Sequence, residues 1–308
     1  MMRFGWMDVI VSVGCATAIL GVGVAARHQA QEFGVIIDCQ QNLRQIAQSL
    51  VMYEGTYNGQ FPRTRYTPDA PLTAYTAPDA KSPFAPDGPA ANDTTASMWL
   101  LAREMELPRE TFICPAAQRH GLAEPDRFDR LSAKGRSNFR ARVNDNYSLA
   151  NMYPSTAAVK AGYSLESFHE KLPPTFAIAA DTNPGIKDEK SATTQETRLE
   201  VREMNSPNHQ RDGQNILFAD GSVAFFGSPF AGRSDNAYRA DDGGVQPTSA
   251  TDSVLLPVWS EGPQKTPLVV LGRRWTLGIA AVGVTIGMVL LIRRGVKRAR
   301  HNASHNLP

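Results

Sequence analysis

Among the six histidines in this 308-residue chain, His209 has two carboxylates following it in sequence, Asp212 and Asp220. One imidazole and two carboxylates are compatible ligands for a divalent metal. The same residues have a structural reading, in which His209 closes a loop on backbone groups and Asp220 shapes a turn through its short side chain. Nucleophilic catalysis would need Ser or Cys, His and a carboxylate together, and the remaining histidines are scattered, two of them (His301 and His305) near the end of the chain. No phosphate-binding glycine loop, C-x-x-C pair or H-E-x-x-H occurs. Of the three cysteines, Cys15 sits in an apolar run and reads as a small apolar residue. Cys39 and Cys114 are either a disulfide or two buried thiols, and a bridge is permitted if the domain is exported. Asp235, Asp241 and Asp242 read as a solvated loop.

Two apolar runs frame whatever positions these groups. Met7 to Ala26 is twenty residues long with Asp8 as its one charge, and Trp275 to Ile292 is eighteen residues without any. Each is long enough to cross the hydrocarbon core of a bilayer. Arg293, Arg294, Lys297, Arg298 and Arg300 follow the second run, with only Arg273 and Arg274 before it. The positive-inside rule therefore places the C-terminal tail in the cytoplasm, where the basic residues can hold anionic lipid headgroups. With two spans both termini lie inside, and the central part lies outside. A cleaved signal peptide ending near Ala25 and Ala26 is the rival reading of the first run. Gly283 and Gly287 have the spacing that can seat a partner helix. Lys plus Arg number 32 against 30 Asp plus Glu, which lacks the basic excess of a nucleic-acid binder.

Beyond Ala26 the apolar positions keep a helical spacing: Phe33, Ile36, Ile37, Leu43, Ile46, Ala47, Leu50, and Met52 or Tyr53. This predicts one long helix from the membrane to about Tyr53, ended by Gly55, Gly59 and Pro62. Residues 62–97 are rich in Pro, Ala, Thr and Asp and read as a disordered-like surface loop. A short helix is expected over Ala96–Leu107, then an extended piece at Thr111–Ala116. Strands are expected at Asn146–Ala150, Thr175–Ala180, Asn215–Ala219 and Val223–Phe226, the last two joined through Asp220 and Gly221 as a hairpin. A helix followed by strands reads as α+β, with an antiparallel sheet laid on the helix.

Four segments carry a family resemblance: CQQNLRQIAQSLVMYEGTYNGQFP (Cys39–Pro62), FICPAA (Phe112–Ala117), IAADTNPG (Ile178–Gly185) and NHQRDGQNILFADGSVAFF (Asn208–Phe226). In this order they resemble the type II pseudopilin-like proteins, in particular the planctomycete-rich bacterial group with a prepilin-like start and a C-terminal H-X9-DG signature. In that signature His209, Asp220 and Gly221 are the motif residues. The chain departs from the pattern in having ten residues between His209 and Asp220, no G-F-T-L-I-E-like processing site around Gly5 and Trp6, and a second apolar run.

The resemblance implies a pilin-like long N-terminal helix packed on an antiparallel sheet, here with an added C-terminal transmembrane helix. It also brings in calcium, with Asp181, Asn183, Asp212 and Asp220 as oxygen donors, although their spacing is not that of an EF-hand. The expected layout is a transmembrane helix (1–26), an exported domain (27–250), a linker (251–274), a second span (275–292) and a basic cytoplasmic tail (293–308). The expected function is a non-enzymatic structural or interaction protein of the inner membrane, related to type II secretion or pilus-like assemblies. Its partners would be lipid and other proteins, or its own copies through the N-terminal helix. The rival is an envelope module that binds a ligand or ion.

Overall fold

The computed structural model describes residues 6–166, 171–185, 198–231 and 235–257. The second apolar run, the basic residues from Arg293 to Arg300, the Asp8 side chain and most of the expected linker lie outside the described residues.

No proline occurs before Pro62, and nothing else interrupts the first element. Helix α1 (Trp6–Thr56) is a single helix of 51 residues, about 77 Å long at 1.5 Å per residue. Along its first half Ile19, Leu20, Val22 and Val24 are each about 70% exposed. Its second half buries Val35, Cys39, Leu43, Ile46, Leu50 and Tyr53, a run of three- and four-residue steps that makes one helical face. Phe33 and Ile37, which the sequence spacing puts in that stripe, are exposed. Ile37 is six residues from Leu43, a rotation of about 120° around the helix, so Val35 and Cys39 take the inner face. The helix ends where Asn58 and Gly59 turn left-handed and the Gly59 N–H donates to the Glu54 carbonyl at 2.9 Å.

Against this face lies a five-stranded antiparallel sheet. Strands β1 (Tyr147–Ala150), β2 (Ala177–Asp181), β3 (Gln214–Phe218) and β4 (Val223–Phe226) are joined by an edge strand β7 (Leu255–Leu256), in the order β4-β3-β2-β1-β7. Every residue of β1, β2 and β3 is buried, so both faces of the sheet centre are covered. Helix α1 packs on β3 and β4. Two short strands, β5 (Phe230–Ala231) and β6 (Asp235–Asn236), form a separate ribbon. The four residues 219–222 connect β3 to β4 in a tight turn, in which Gly221 adopts φ +81° and its N–H donates to the Phe218 carbonyl.

Two expectations need correction. The sheet does not stop before residue 251: Leu255 and Leu256 pair with Ala150 and Leu149 on β1, so the start of the expected linker belongs to the domain. Val254, Leu255 and Leu256, ahead of Pro257, are too short a run to stand out as a strand. Nor is 62–97 disordered-like. Helix α2 (Thr94–Glu104) already begins within it, capped by Asp93, whose carboxylate accepts the Ala96 N–H at 2.8 Å. Before α2 the backbone is irregular but pinned. The Asn92 amide donates to Thr67 and Ala70 carbonyls at 2.8 and 3.0 Å, and the Tyr153 hydroxyl bonds Thr64 and the Asp93 carbonyl. Side-chain-to-backbone bonds of this kind substitute for the apolar core that the composition lacks.

Candidate functional site

The strand register decides which polar groups meet. Tyr147 on β1 lies opposite Asp181 at the end of β2, and Asn215 on β3 donates its backbone N–H to Asp181 Oδ2 at 2.6 Å. The Asn215 and Asn208 side-chain amides add bonds to the same carboxylate, both at 3.1 Å. Asn208 and His209 belong to a single turn of 3-10 helix (Pro207–His209) whose first residues are capped by the Ser206 hydroxyl. Gln210 and Arg211, both left-handed at φ +55° and +63°, then reverse the chain toward β3. This turn holds His209 inside, 8% exposed, with Nε2 at 3.2 Å from Asp181 Oδ2.

Two sulfurs complete the cluster. Cys39 of α1 and Cys114 form a disulfide with Cα atoms 5.2 Å apart, within the usual range. Cys114 precedes helix α3 (Pro115–Arg119), and its Sγ lies 3.6 Å from His209 Nε2. One turn along α1, the Asn42 amide donates to the Ile113 carbonyl at 2.9 Å and to the Tyr147 hydroxyl at 3.2 Å. The node therefore joins the long helix, the Cys114 segment, the sheet centre and the His209 turn, all of them remote in sequence.

Its electrostatics are those of a buried imidazole beside a buried carboxylate. Burial disfavours the His209 cation, but the adjacent Asp181 carboxylate outweighs it and leaves the His209 pKa above its ordinary value. The arrangement is not a nucleophile–base–acid relay. Carboxylate and sulfur both face the same ring nitrogen, Nε2, whereas a relay needs the acid on one nitrogen and the nucleophile on the other.

The residues anticipated as a metal set are not brought together. Asp181 is fully buried under Asn208 and Asn215. The Asp212 side chain is 61% exposed and pairs with Arg202 at 3.0 Å. Asp220 lies in the hairpin turn, where Ser222 holds its carboxyl below the ordinary value. Strand β3 stands between His209 and Asp220, about 16 Å of extended chain. Asn183 donates its amide to the Tyr238 and Leu255 carbonyls at 2.9 and 2.8 Å, and its Oδ1 accepts the Gly185 N–H at 2.9 Å. Calcium therefore does not fit the expected donors.

A different acidic group does converge. Asp235, Asp241 and Asp252 offer carboxylate oxygens within 4.8 Å of one another, in a hollow of about 210 Å³ also lined by Ser249 and Thr251. Asp252 Oδ2 accepts from the Thr248 N–H and hydroxyl at 2.6 and 2.7 Å, while its buried Oδ1 has no hydrogen-bond partner. Burial pushes the Asp235 carboxyl up to about 6. Read from spacing alone, Asp235 and Asp241 looked solvated, because Asp252 and the fold-back that brings it close carry no local signal. No family model, curated protein or solved structure matches the chain.

Proposed function

We propose that the protein is a membrane-anchored, pseudopilin-like structural or interaction protein, related to type II secretion or pilus-like assemblies, with its α+β domain on the outer side of the inner membrane. The observation that carries this reading is α1. A continuous helix exposes apolar residues along its first half and buries a stripe in its second half against an antiparallel sheet. Among the described residues it is the helix long and apolar enough to cross a membrane. Exposed valines and leucines in series cost free energy in water and are relieved by lipid or by a neighbouring helix. The partners are accordingly lipid, assisted by Arg293, Arg294, Lys297, Arg298 and Arg300, and protein helices, including those of other copies.

A non-enzymatic role agrees with the sealed node, whose histidine faces acid and sulfur through one nitrogen. The balanced charge argues against nucleic acid as a partner. The test is photo-crosslinking in native membranes from a probe at Leu20. Adducts to a second copy or to another envelope protein support the assembly reading; adducts to lipid alone contradict it.

A second reading, an envelope module that binds an ion, is favoured by the Asp235, Asp241 and Asp252 hollow with its unpartnered Asp252 oxygen. Hard oxygen donors suit calcium. Calcium that raises the melting temperature of the full chain, and fails to do so in Asp252→Asn, would favour it.

A further inference from the structure

The four side chains that close the node also meet the ligand requirement of a soft divalent cation. Cys39 and Cys114 sulfurs, the Asp181 carboxylate and an imidazole nitrogen of His209 lie within 4.8 Å of one another, and all four residues are buried. Thiolate with imidazole selects zinc-class ions. Bonds of about 2.3 Å to sulfur and about 2.0 Å to nitrogen and oxygen give a tetrahedron with sulfur–nitrogen edges of about 3.5 Å and nitrogen–oxygen edges of about 3.3 Å. His209 Nε2 stands 3.6 Å from Cys114 Sγ and 3.2 Å from Asp181 Oδ2, so two edges are already set. Asn208 and Asn215 orient the carboxylate through hydrogen bonds, which is what outer partners of metal ligands do.

We propose that the dithiol form of the protein binds one zinc-class ion through Cys39, Cys114, Asp181 and His209, so that disulfide and metal are alternative closures of the same node. Toward the metal form, a thiol or phosphine reductant delivers two electrons to the sulfur–sulfur bond and each sulfur takes a proton. The ion then displaces both protons as the thiolates bind. With a phosphine, the reductant leaves as the phosphine oxide, its oxygen and the two protons drawn from water; with a thiol, two equivalents give up their protons and leave as their own disulfide. The cation is what makes this charge pattern tolerable, because two thiolates and a carboxylate buried without one would repel and lack solvation. In either closure α1 stays tied to the sheet. The inference rests on the node's geometry alone and stands apart from the assembly role.

The test uses the full chain in detergent, reduced with a phosphine under anaerobic conditions and titrated with cobalt(II) as a spectroscopic probe. The expected result is one cobalt per chain with thiolate-to-cobalt charge transfer and tetrahedral visible bands, both abolished by added zinc. The oxidised chain gives neither, and Asn208→Ala weakens binding by about 10- to 100-fold. Absence of thiolate charge transfer in the reduced chain overturns the proposal, and so does equal binding by the reduced and oxidised chains. The comparison of wild-type redox forms needs no variant to fold; His209→Gln adds a check, since unchanged cobalt affinity in a folded variant also overturns the assignment.

Discussion

His209 Nε2 lies 3.2 Å from Asp181 Oδ2, a contact made by the end of β2 and the turn that leads into β3. Asp181 is fully buried, so removing it leaves the imidazole and the Asn215 backbone N–H without their carboxylate acceptor. Asp181→Ala should lower stability by about 3–5 kcal/mol, the usual penalty for breaking a buried pair. His209→Gln, which keeps a polar group in place, should cost about 1–3 kcal/mol. Denaturant titrations of both variants check this; an Asp181→Ala loss below 1 kcal/mol contradicts the pairing.

Asp145 gives the fold a pH dependence of definite sign. It is buried next to β1, with one oxygen accepting the Tyr147 N–H at 3.2 Å and the other without a partner, and burial pushes its carboxyl up to about 8. The native state therefore holds this proton over a range where the unfolded chain has lost it. The stabilisation is full below the ordinary carboxylate value and is lost as the pH rises toward 8. Asp235, raised to about 6, acts in the same sense. Unfolding midpoints should fall between pH 5 and pH 8, and Asp145→Asn should flatten that fall. An unchanged slope in the variant would show that Asp145 is charged in the native state.

Gly213 precedes β3 where the chain returns from the His209 turn. A Cβ there would stand 2.3 Å from the Phe226 carbonyl oxygen and 2.6 Å from the Phe225 ring. Gly213→Ala should destabilise the protein by about 1–3 kcal/mol, as overpacking does. Since His209 packs edge-on to Phe225, the displaced ring should also shift the His209 signals in an NMR spectrum. Wild-type stability in the variant would contradict the close approach.

The two halves of α1 should respond differently to charge. Leu20 and Met52 are 67% and 59% exposed, but only Leu20 lies in the uninterrupted apolar run. Lysine at Leu20 should disfavour membrane insertion by about 2.5–3.5 kcal/mol, whereas Met52→Lys should leave it unchanged. Carbonate-resistant membrane fractions measure both. Equal behaviour of the two variants would mean that the first half does not sit in lipid.

The sequence made the periodic elements legible and left the convergent ones hidden. Leu43, Ile46 and Leu50 announce a helix because local spacing records which face is buried, and Asp220-Gly221 announces a hairpin because the turn chemistry is local. The strands at Tyr147, Ala177, Gln214 and Val223 fall within a few residues of expectation for the same reason. The partnership of His209 was not local. Its nearest acids in sequence point to solvent or to Arg202, and its true partner sits on another strand at a register that only the assembled sheet fixes. Asp252 joins Asp235 and Asp241, and Leu255 joins β1, through chain reversals that no short window encodes. Residues 62–93 look core-poor because they are; their order comes from hydrogen bonds made to Tyr153, Asn92 and Pro154, which composition does not display.

In the proposed architecture α1 emerges from a bilayer to carry the domain outside the cytoplasm. Asp87 is exposed in the irregular segment before α2, and Asp87→Cys in a Cys15→Ser background places a reactive thiol on the domain surface. The measurement is labelling of that thiol in intact spheroplasts by a membrane-impermeant maleimide, read on the membrane pellet. Full labelling before permeabilisation is expected, with the protein in the pellet. Labelling only after permeabilisation, or protein in the soluble fraction, would contradict it.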